Sequence, residues 1–265
     1  MKEKVIYYTD ELNDDFAKTE IQRKPLGVKY KYIHKNTLWR VVCFIVYYVV
    51  AIPLVFIINK IVHHQRLKNK KVLKQVKKSG YFVYGNHTSH LNDCFSVPVM
   101  ALPKRAYIIC NPDALSIKGL KNLVQMLGAI TLANTLKEHK EMVKCIEQRI
   151  KEKQVISIYP EAHIWPYYTK IRPFTNISFK YPVKCNAPVF AITHCFQKRK
   201  FSKKPKIISF VDGPFYPNTE LSANEASMEL RDKVYQVMCE RAKKYSNYEY
   251  IKYVKVEEEK EYIEE

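Results

Sequence analysis

His87 and Asp93 stand six residues apart in the polar stretch Gly85-Asn86-His87-Thr88-Ser89-His90-Leu91-Asn92-Asp93, directly after a short apolar run. An imidazole acts as a base on a hydroxyl when one ring nitrogen is free and a partner fixes the tautomer through the other. Asp93 is the one anionic side chain in the stretch, so Asp93 rather than Asn92 is expected to stabilise the imidazolium. Two other chemistries fit the same residue types. His87, His90 and Asp93 recur at three-residue spacing, as metal ligands can, but no other ligand cluster in the sequence joins them. Cys94 could be a nucleophile, although a small thiol of this kind is more often a packing residue.

A second polar turn, Tyr159-Pro160-Glu161-Ala162-His163-Ile164-Trp165-Pro166, follows another apolar run. Glu161 there can accept a bond from a ligand hydroxyl, and His163 is either a ligand contact or a packed turn residue. Farther on, Lys170, Arg172 and Lys180 offer charge for a phosphate.

These turns must be held by a scaffold. Residues 81–84, 106–110, 154–159, 189–196 and 206–211 are short, apolar and rich in β-branched or aromatic types, which predicts strands. Between them, 94–102, 115–127, 137–153 and 174–184 carry helical spacing. The alternation predicts an α/β fold with a mixed, largely parallel sheet flanked by helices. Both polar turns then fall at strand carboxyl ends, where such sheets gather their chemistry. Ser222-Ala223-Asn224-Glu225 is a capping box that starts a helix running to about Tyr245.

Residues 41–58 contain no charged side chain. As a helix they would extend roughly 27 Å, close to the roughly 30 Å hydrocarbon core of a bilayer. Pro53 permits a kinked or half-inserted helix, so spanning and lying in one leaflet both remain open. From His63 to Lys78 the flank is basic with no acid, whereas the residues before the run mix lysines with acids. That asymmetry predicts a membrane-associated helix with the later residues on the cytoplasmic side. The same flank would bind anionic headgroups, or simply be a solvated linker.

The chain has 265 residues, with 45 basic and 26 acidic side chains giving a formal charge of +19, which implies an anionic partner. No nucleic-acid-binding motif is recognisable, and such a partner would leave residues 41–58 unexplained, so none is expected. Seven scattered cysteines argue against a zinc ribbon or a disulfide framework and fit reduced thiols facing a cytosol.

Four blocks together resemble the glycerolphosphate and lysophospholipid acyltransferase family, of the 1-acyl-glycerol-3-phosphate acyltransferase type, over roughly residues 80–215. Asn86-His87 followed by Asp93 is similar to its first block, Leu127-Gly128-Ala129-Ile130-Thr131-Leu132 to its second, Tyr159-Pro160-Glu161 to its third and Asn186-Ala187-Pro188-Val189-Phe190-Ala191-Ile192 to its fourth. The departures are specific. The family spacer between histidine and aspartate is four residues and here it is five, with Asn92 at the ordinary aspartate position. The arginine ending the second block appears as Asn134, and the glycine, threonine and arginine of the third as Ala162, His163 and Ile164.

The resemblance implies O-acyl transfer from acyl-CoA or acyl carrier protein, as co-substrate, to a hydroxyl of a lysophospholipid or glycerol phosphate, with no further cofactor and no metal. His87 and Asp93 would be catalytic. Asn86, Glu161, His163, Arg172 and Lys170 would bind substrate, with Arg172 or Lys170 standing in for the lost arginines. A lipid-binding protein on the same fold that has lost catalysis is the alternative. The expected organisation is a polar segment 1–40, an anchor helix and basic linker 41–79, an acyltransferase domain 80–250 and an acidic tail 251–265.

Overall fold

A computed structural model describes residues 4–17, 30–89, 92–116 and 119–256, with only the backbone of Asn92, Ala114 and Ser116. Among the described residues the strands are β1 (Val5–Tyr8), β2 (Arg66–Lys68), β3 (Tyr81–Gly85), β4 (Ala106–Cys110), β5 (Ala129–Thr131), β6 (Val155–Ile158), β7 (Val189–Gln197), β8 (Lys206–Phe215) and β9 (Lys252–Lys255). The helices are α1 (Thr37–Phe44), α2 (Ile52–Ile61), α3 (Asn92–Ala101), α4 (Asp113–Ser116), α5 (Lys121–Met126), α6 (Leu136–Lys151), α7 (Lys180–Cys185) and α8 (Ala223–Tyr245).

Seven strands form one sheet in the order β2-β8-β7-β3-β6-β4-β5. The pairs are parallel except β7 with β8, so β8 and β2 run against the other five. Strand β3 is central and buried along its length, as expected of a strand covered on both faces. The two-residue period of the strands sorts side chains onto the faces. Phe82, Tyr84, Ile156 and Ala191 join the inward sides of α6 and α8 in one core, and Val83, Val155, Phe190 and Ile192 join α3 and the 3-10 turn Lys70–Val76 in the other. Helix α8 starts at the predicted capping box, with Ser222 and Glu225 closing it reciprocally.

Several elements differ from the sequence expectation. The single helix over 115–127 is two short ones, α4 and α5, and Gly119 between them takes the left-handed conformation that ends a helix. The helix over 174–184 starts later, as a 3-10 turn Ile177–Phe179 leading into α7. Strand β9 falls in the stretch assigned to the acidic tail and pairs in parallel with β1, from the stretch assigned to a polar segment. The acidic residues 257–265 lie outside the described residues, as does His90.

Residues Thr37–Ile61 make one continuous helix, with mean hydropathy 2.9 in its most apolar window, long and apolar enough to cross a membrane. Its middle, Ile45–Ala51, is π-helical, and Pro53 follows in the first turn of α2. The wider turn accommodates the proline ring, which would clash with the carbonyl four residues back in a regular helix. A narrow stripe of Cys43, Tyr47, Ile52, Val55 and Asn59 is buried. The Tyr47 hydroxyl accepts the Ala106 N–H at 3.0 Å, the Tyr48 hydroxyl donates to the Pro103 carbonyl at 3.0 Å, and α2 packs on α3. The opposite face exposes Leu38, Val41, Phe44, Val49, Leu54 and Ile57.

Candidate active site

Strand β3 ends at Gly85, and the chain turns through Asn86 and His87 toward α3. A side chain at Gly85 would meet the Tyr159 ring at 2.7 Å, and that ring stacks on the His87 imidazole with centroids 4.8 Å apart. The residue type at Gly85 therefore makes room for the platform that holds His87 flat.

His87 Nδ1 is 2.9 Å from Asp93 Oδ2. The same oxygen accepts the backbone N–H of Thr88 at 2.7 Å and of Ser89 at 2.8 Å. The Asp93 side chain has no exposed surface, whereas that of His87 keeps 16%. An anion so enclosed needs several donors, and three converge here on one oxygen. With Nδ1–H given to the carboxylate, Nε2 keeps a free lone pair. Asp93 thus reaches the His87 ring despite the longer spacer, because the Thr88 and Ser89 N–H groups fold back onto its carboxylate. The Tyr159 hydroxyl also donates to the Asp93 backbone carbonyl, tying the second polar turn to the first.

Asn86 is buried and turns to β7. Its Nδ2 donates to the His194 carbonyl at 3.1 Å and its Oδ1 accepts the His194 N–H at 2.8 Å, so it clasps β7. Glu161 is buried too. Its carboxylate accepts the His87 backbone N–H at 3.0 Å and the Arg172 backbone N–H at 3.1 Å. Burial raises its carboxyl above the usual value, and the nearby Arg172 guanidinium pulls it back.

Arg172 has no exposed side-chain surface. Its guanidinium lies over the Trp165 ring and donates to the carbonyls of Glu161, His163 and Glu11. Its two terminal nitrogens thus serve the protein, and its full burial gives it no face toward an acceptor phosphate. His163 is half-exposed, with Nδ1 3.5 Å from an Asp15 oxygen. Lys170 is exposed and has no ion pair among the described residues. Lys180 begins α7, also exposed. The structure therefore gathers His87, Asp93, Asn86 and Glu161 into one bonded unit, and leaves Lys170 outside it. Burial beside the Asp93 carboxylate pushes the Cys94 thiol up to about 12, which keeps it a thiol rather than a nucleophilic thiolate. Among the described residues no cluster of three or more His, Cys, Asp or Glu side chains could hold a metal ion.

Residues 4–17, unreadable from the sequence alone, cover the second turn. The Trp165 indole donates to the Asp14 carbonyl at 2.7 Å, the Ile164 N–H donates to Asp15 at 3.2 Å, and Tyr8 on β1 and Tyr253 on β9 pack against the Trp165 ring. The Trp165 and Tyr167 N–H groups in turn donate to the His87 and Thr88 carbonyls, both at 3.0 Å.

Comparison with known proteins agrees with this architecture. No curated protein matches the chain. The fold is similar to a crystal structure of 1-acyl-sn-glycerophosphate (LPA) acyltransferase, PlsC, from Thermotoga maritima, with a TM-score of 0.53 and 15% identity over 74% of this chain and 81% of that one. The Acyltransferase family model matches residues 62–194, which contain both polar turns and strands β2 to β6. With half of its length matched by that model, the chain belongs to the Acyltransferase family.

Proposed function

We propose that this protein is a membrane-attached O-acyltransferase that moves a fatty acyl group from a thioester, acyl-CoA or acyl carrier protein, to a hydroxyl of a lysophospholipid or glycerol phosphate. The observation that carries the reading is the 2.9 Å contact between His87 Nδ1 and the enclosed Asp93 carboxylate, which leaves Nε2 of a partly exposed ring free to act as the base. His87 Nε2 takes the acceptor's hydroxyl proton, and the oxygen attacks the thioester carbonyl. The resulting tetrahedral adduct re-forms the carbonyl as its C–S bond breaks, and the departing thiolate recovers the proton from the imidazolium. Asp93 stabilises that imidazolium throughout. No acyl-enzyme forms, in keeping with a Cys94 thiol that stays protonated. Asn86 and Glu161 act in this reading through the backbone they fix, and Lys170 and His163 are the polar side chains with surface left for an acceptor's phosphate.

The helix Thr37–Ile61 supplies the attachment. It is held to the domain along a buried stripe while its apolar opposite face stays open, the pattern of a helix lying in the interface of one leaflet. Lys70, Lys71, Lys74, Lys77, Lys104 and Lys153 rim a groove of about 820 Å³ with Met100 and Leu102 among its walls, on the sheet face that also carries α3. We read this groove as the contact for anionic headgroups, on the cytoplasmic leaflet that its positive flank favours.

The test is a labelled-acyl assay with acyl-CoA and acyl carrier protein donors against lysophospholipids and glycerol phosphate. His87→Ala is expected to lower turnover by a factor of about 10²–10⁴ while the protein stays folded and vesicle-bound. Retained turnover rejects the base assignment. A second reading is favoured by one observation: Arg172 is sealed inside and no arginine stands at positions 134 or 164, so no arginine from these positions offers an acceptor phosphate a guanidinium. On that reading the protein binds lipid without turning it over, and wild-type protein that consumes no acyl donor would decide for it.

A further inference from the structure

Behind the His87–Asp93 pair lies a second imidazole, His194, in the middle of β7. Its side chain has no exposed surface, and its Nε2 stands 3.9 Å from Asp93 Oδ1. Neither atom has a hydrogen-bond partner among the described residues, although both are polar and buried. Such an arrangement is costly unless the two serve each other. The far side of the ring decides its protonation. His194 Nδ1 is 2.7 Å from Ser209 Oγ on β8, and Gln65 Nε2 donates to the same hydroxyl at 2.7 Å and to Ser96 Oγ at 2.8 Å. With the Gln65 amide donating to it, Ser209 gives its own proton to Nδ1. The ring proton therefore sits on Nε2, aimed at Asp93. The other tautomer would set a buried lone pair against a buried carboxylate.

We propose that His194 is a positioning residue of the acyl-transfer site, its Nε2–H steadying Asp93 Oδ1 while Oδ2 steadies His87. The proposal rests on the reading of His87 as base. As the His87 ring becomes an imidazolium, the carboxylate beside it must stay anionic and fixed, and His194 faces the oxygen that the turn's own N–H groups leave uncovered. The 3.9 Å separation needs a closure of only about 1 Å to become a hydrogen bond, and such contacts tighten when a ligand fills a site. Asn86, next to His87, grips the His194 backbone in both directions, so one residue couples the two imidazoles.

The other titratable groups around the pair are few. Cys94 on α3 and Tyr159 after β6 both feel Asp93 and are held neutral by burial. His63, after α2, feels Asp93 and Lys204 and is lowered by burial. Glu161 lies under the His87 backbone. His194 itself is pushed down by burial, so it acts as a neutral donor rather than a cation.

The test compares pH profiles of kcat and KM for the full-length wild type, His194→Leu, His194→Gln and Ser209→Ala. Without the Nε2–H, Asp93 acts more strongly on His87 and is itself more easily protonated. Both effects move the acid limb of kcat to higher pH, by about one pH unit in His194→Leu, with KM for the acyl donor within about twofold. His194→Gln, whose amide nitrogen reaches the Nε2 position, is expected to bring the limb back toward wild type, and Ser209→Ala to move it less in the same direction. An unmoved limb in His194→Leu, or superimposed limbs for the Leu and Gln variants with matching thermal melts, overturns the proposal. Should His194→Leu fail to fold, Ser209→Ala carries the test, and an unmoved limb there overturns it. These failures leave an active wild type, whereas turnover retained by His87→Ala rejects the base reading itself.

Discussion

Asp93 illustrates how one side chain solves a folding and a chemical problem together. Its Oδ2 ends the turn after β3 by accepting the Thr88 and Ser89 N–H groups, and the same oxygen accepts a hydrogen bond from the His87 ring. An amide at this position would keep much of the turn but carry no charge to meet an imidazolium, and its NH₂ group would favour the wrong ring tautomer. Asp93→Asn is therefore expected to lower kcat by about 10³–10⁴ while the melting temperature changes far less in proportion. Asn92, at the position where the family has its aspartate, opens α3 at the edge of the site. Asn92→Ala is expected to leave kcat within about threefold. Steady-state kinetics with one acyl donor check both, and a loss that follows Asn92 would make the amide the orienter.

The turns between elements carry most of the positioning, and the second one holds Ala162 and, just after it, Tyr167 in the left-handed region. Ala162 sits at φ 63°, in the left-handed region, where the family pattern has glycine. Its side chain is exposed, so truncation removes no packing. The left-handed conformation costs alanine roughly 1–2 kcal/mol, and glycine gives back about 0.4–1 kcal/mol through its freer unfolded chain. Ala162→Gly should thus stabilise by about 0.5–1 kcal/mol, a rise of about 2 °C in Tm with turnover preserved. A calorimetric scan showing a lower Tm would refute the account of this turn. The turn was legible in the sequence because it follows a mostly apolar strand that is buried at every residue. Strands 81–84, 106–110, 154–159 and 189–196 were legible from their apolar runs, which are buried or half-buried throughout. The strands β1, β2, β5 and β9 were not, being three or four residues long and mostly flanked by charge or turns, with pairing set by distant chain. The contact of His87 with Asp93 was legible from type and spacing, whereas Glu161, expected to meet a ligand hydroxyl, is instead buried against the His87 and Arg172 backbone N–H groups. His194 was hidden in an apolar strand, and the available signal was a histidine in β7 opposite Ser209 in β8, polar groups that need each other only once register is known. Arg172 was read as a ligand for phosphate because its burial by Trp165 and by residues 4–17 depends on contacts far apart in sequence.

The two faces of the sheet divide the labour of the molecule. One is closed by α6 and α8 around a continuous apolar core. The other carries α3, the open apolar helix and the lysine-rimmed groove, so the hydrophobic and the cationic surfaces fall on one side. Lys104 is committed to the Ser79 and Lys153 carbonyls, whereas Lys71, Lys74 and Lys77 have no ion pair among the described residues. On the proposed membrane attachment, a bilayer with negative headgroups would take the apolar helix into its acyl chains and the ammonium groups onto its phosphates, with each lysine near the surface contributing about 1 kcal/mol. Changing Lys71, Lys74 and Lys77 to glutamine should then weaken binding to vesicles of mixed phosphatidylcholine and phosphatidylglycerol by about a hundredfold. Binding to pure phosphatidylcholine, driven by the helix, should change little, and the difference between variants should shrink as salt is raised. Turnover of detergent-dispersed substrate should persist, because the groove borders the starts of β3 and β6 at the opposite end of the sheet from His87. Equal binding of wild type and triple variant to anionic vesicles in sedimentation would remove the lysines from the proposed membrane contact.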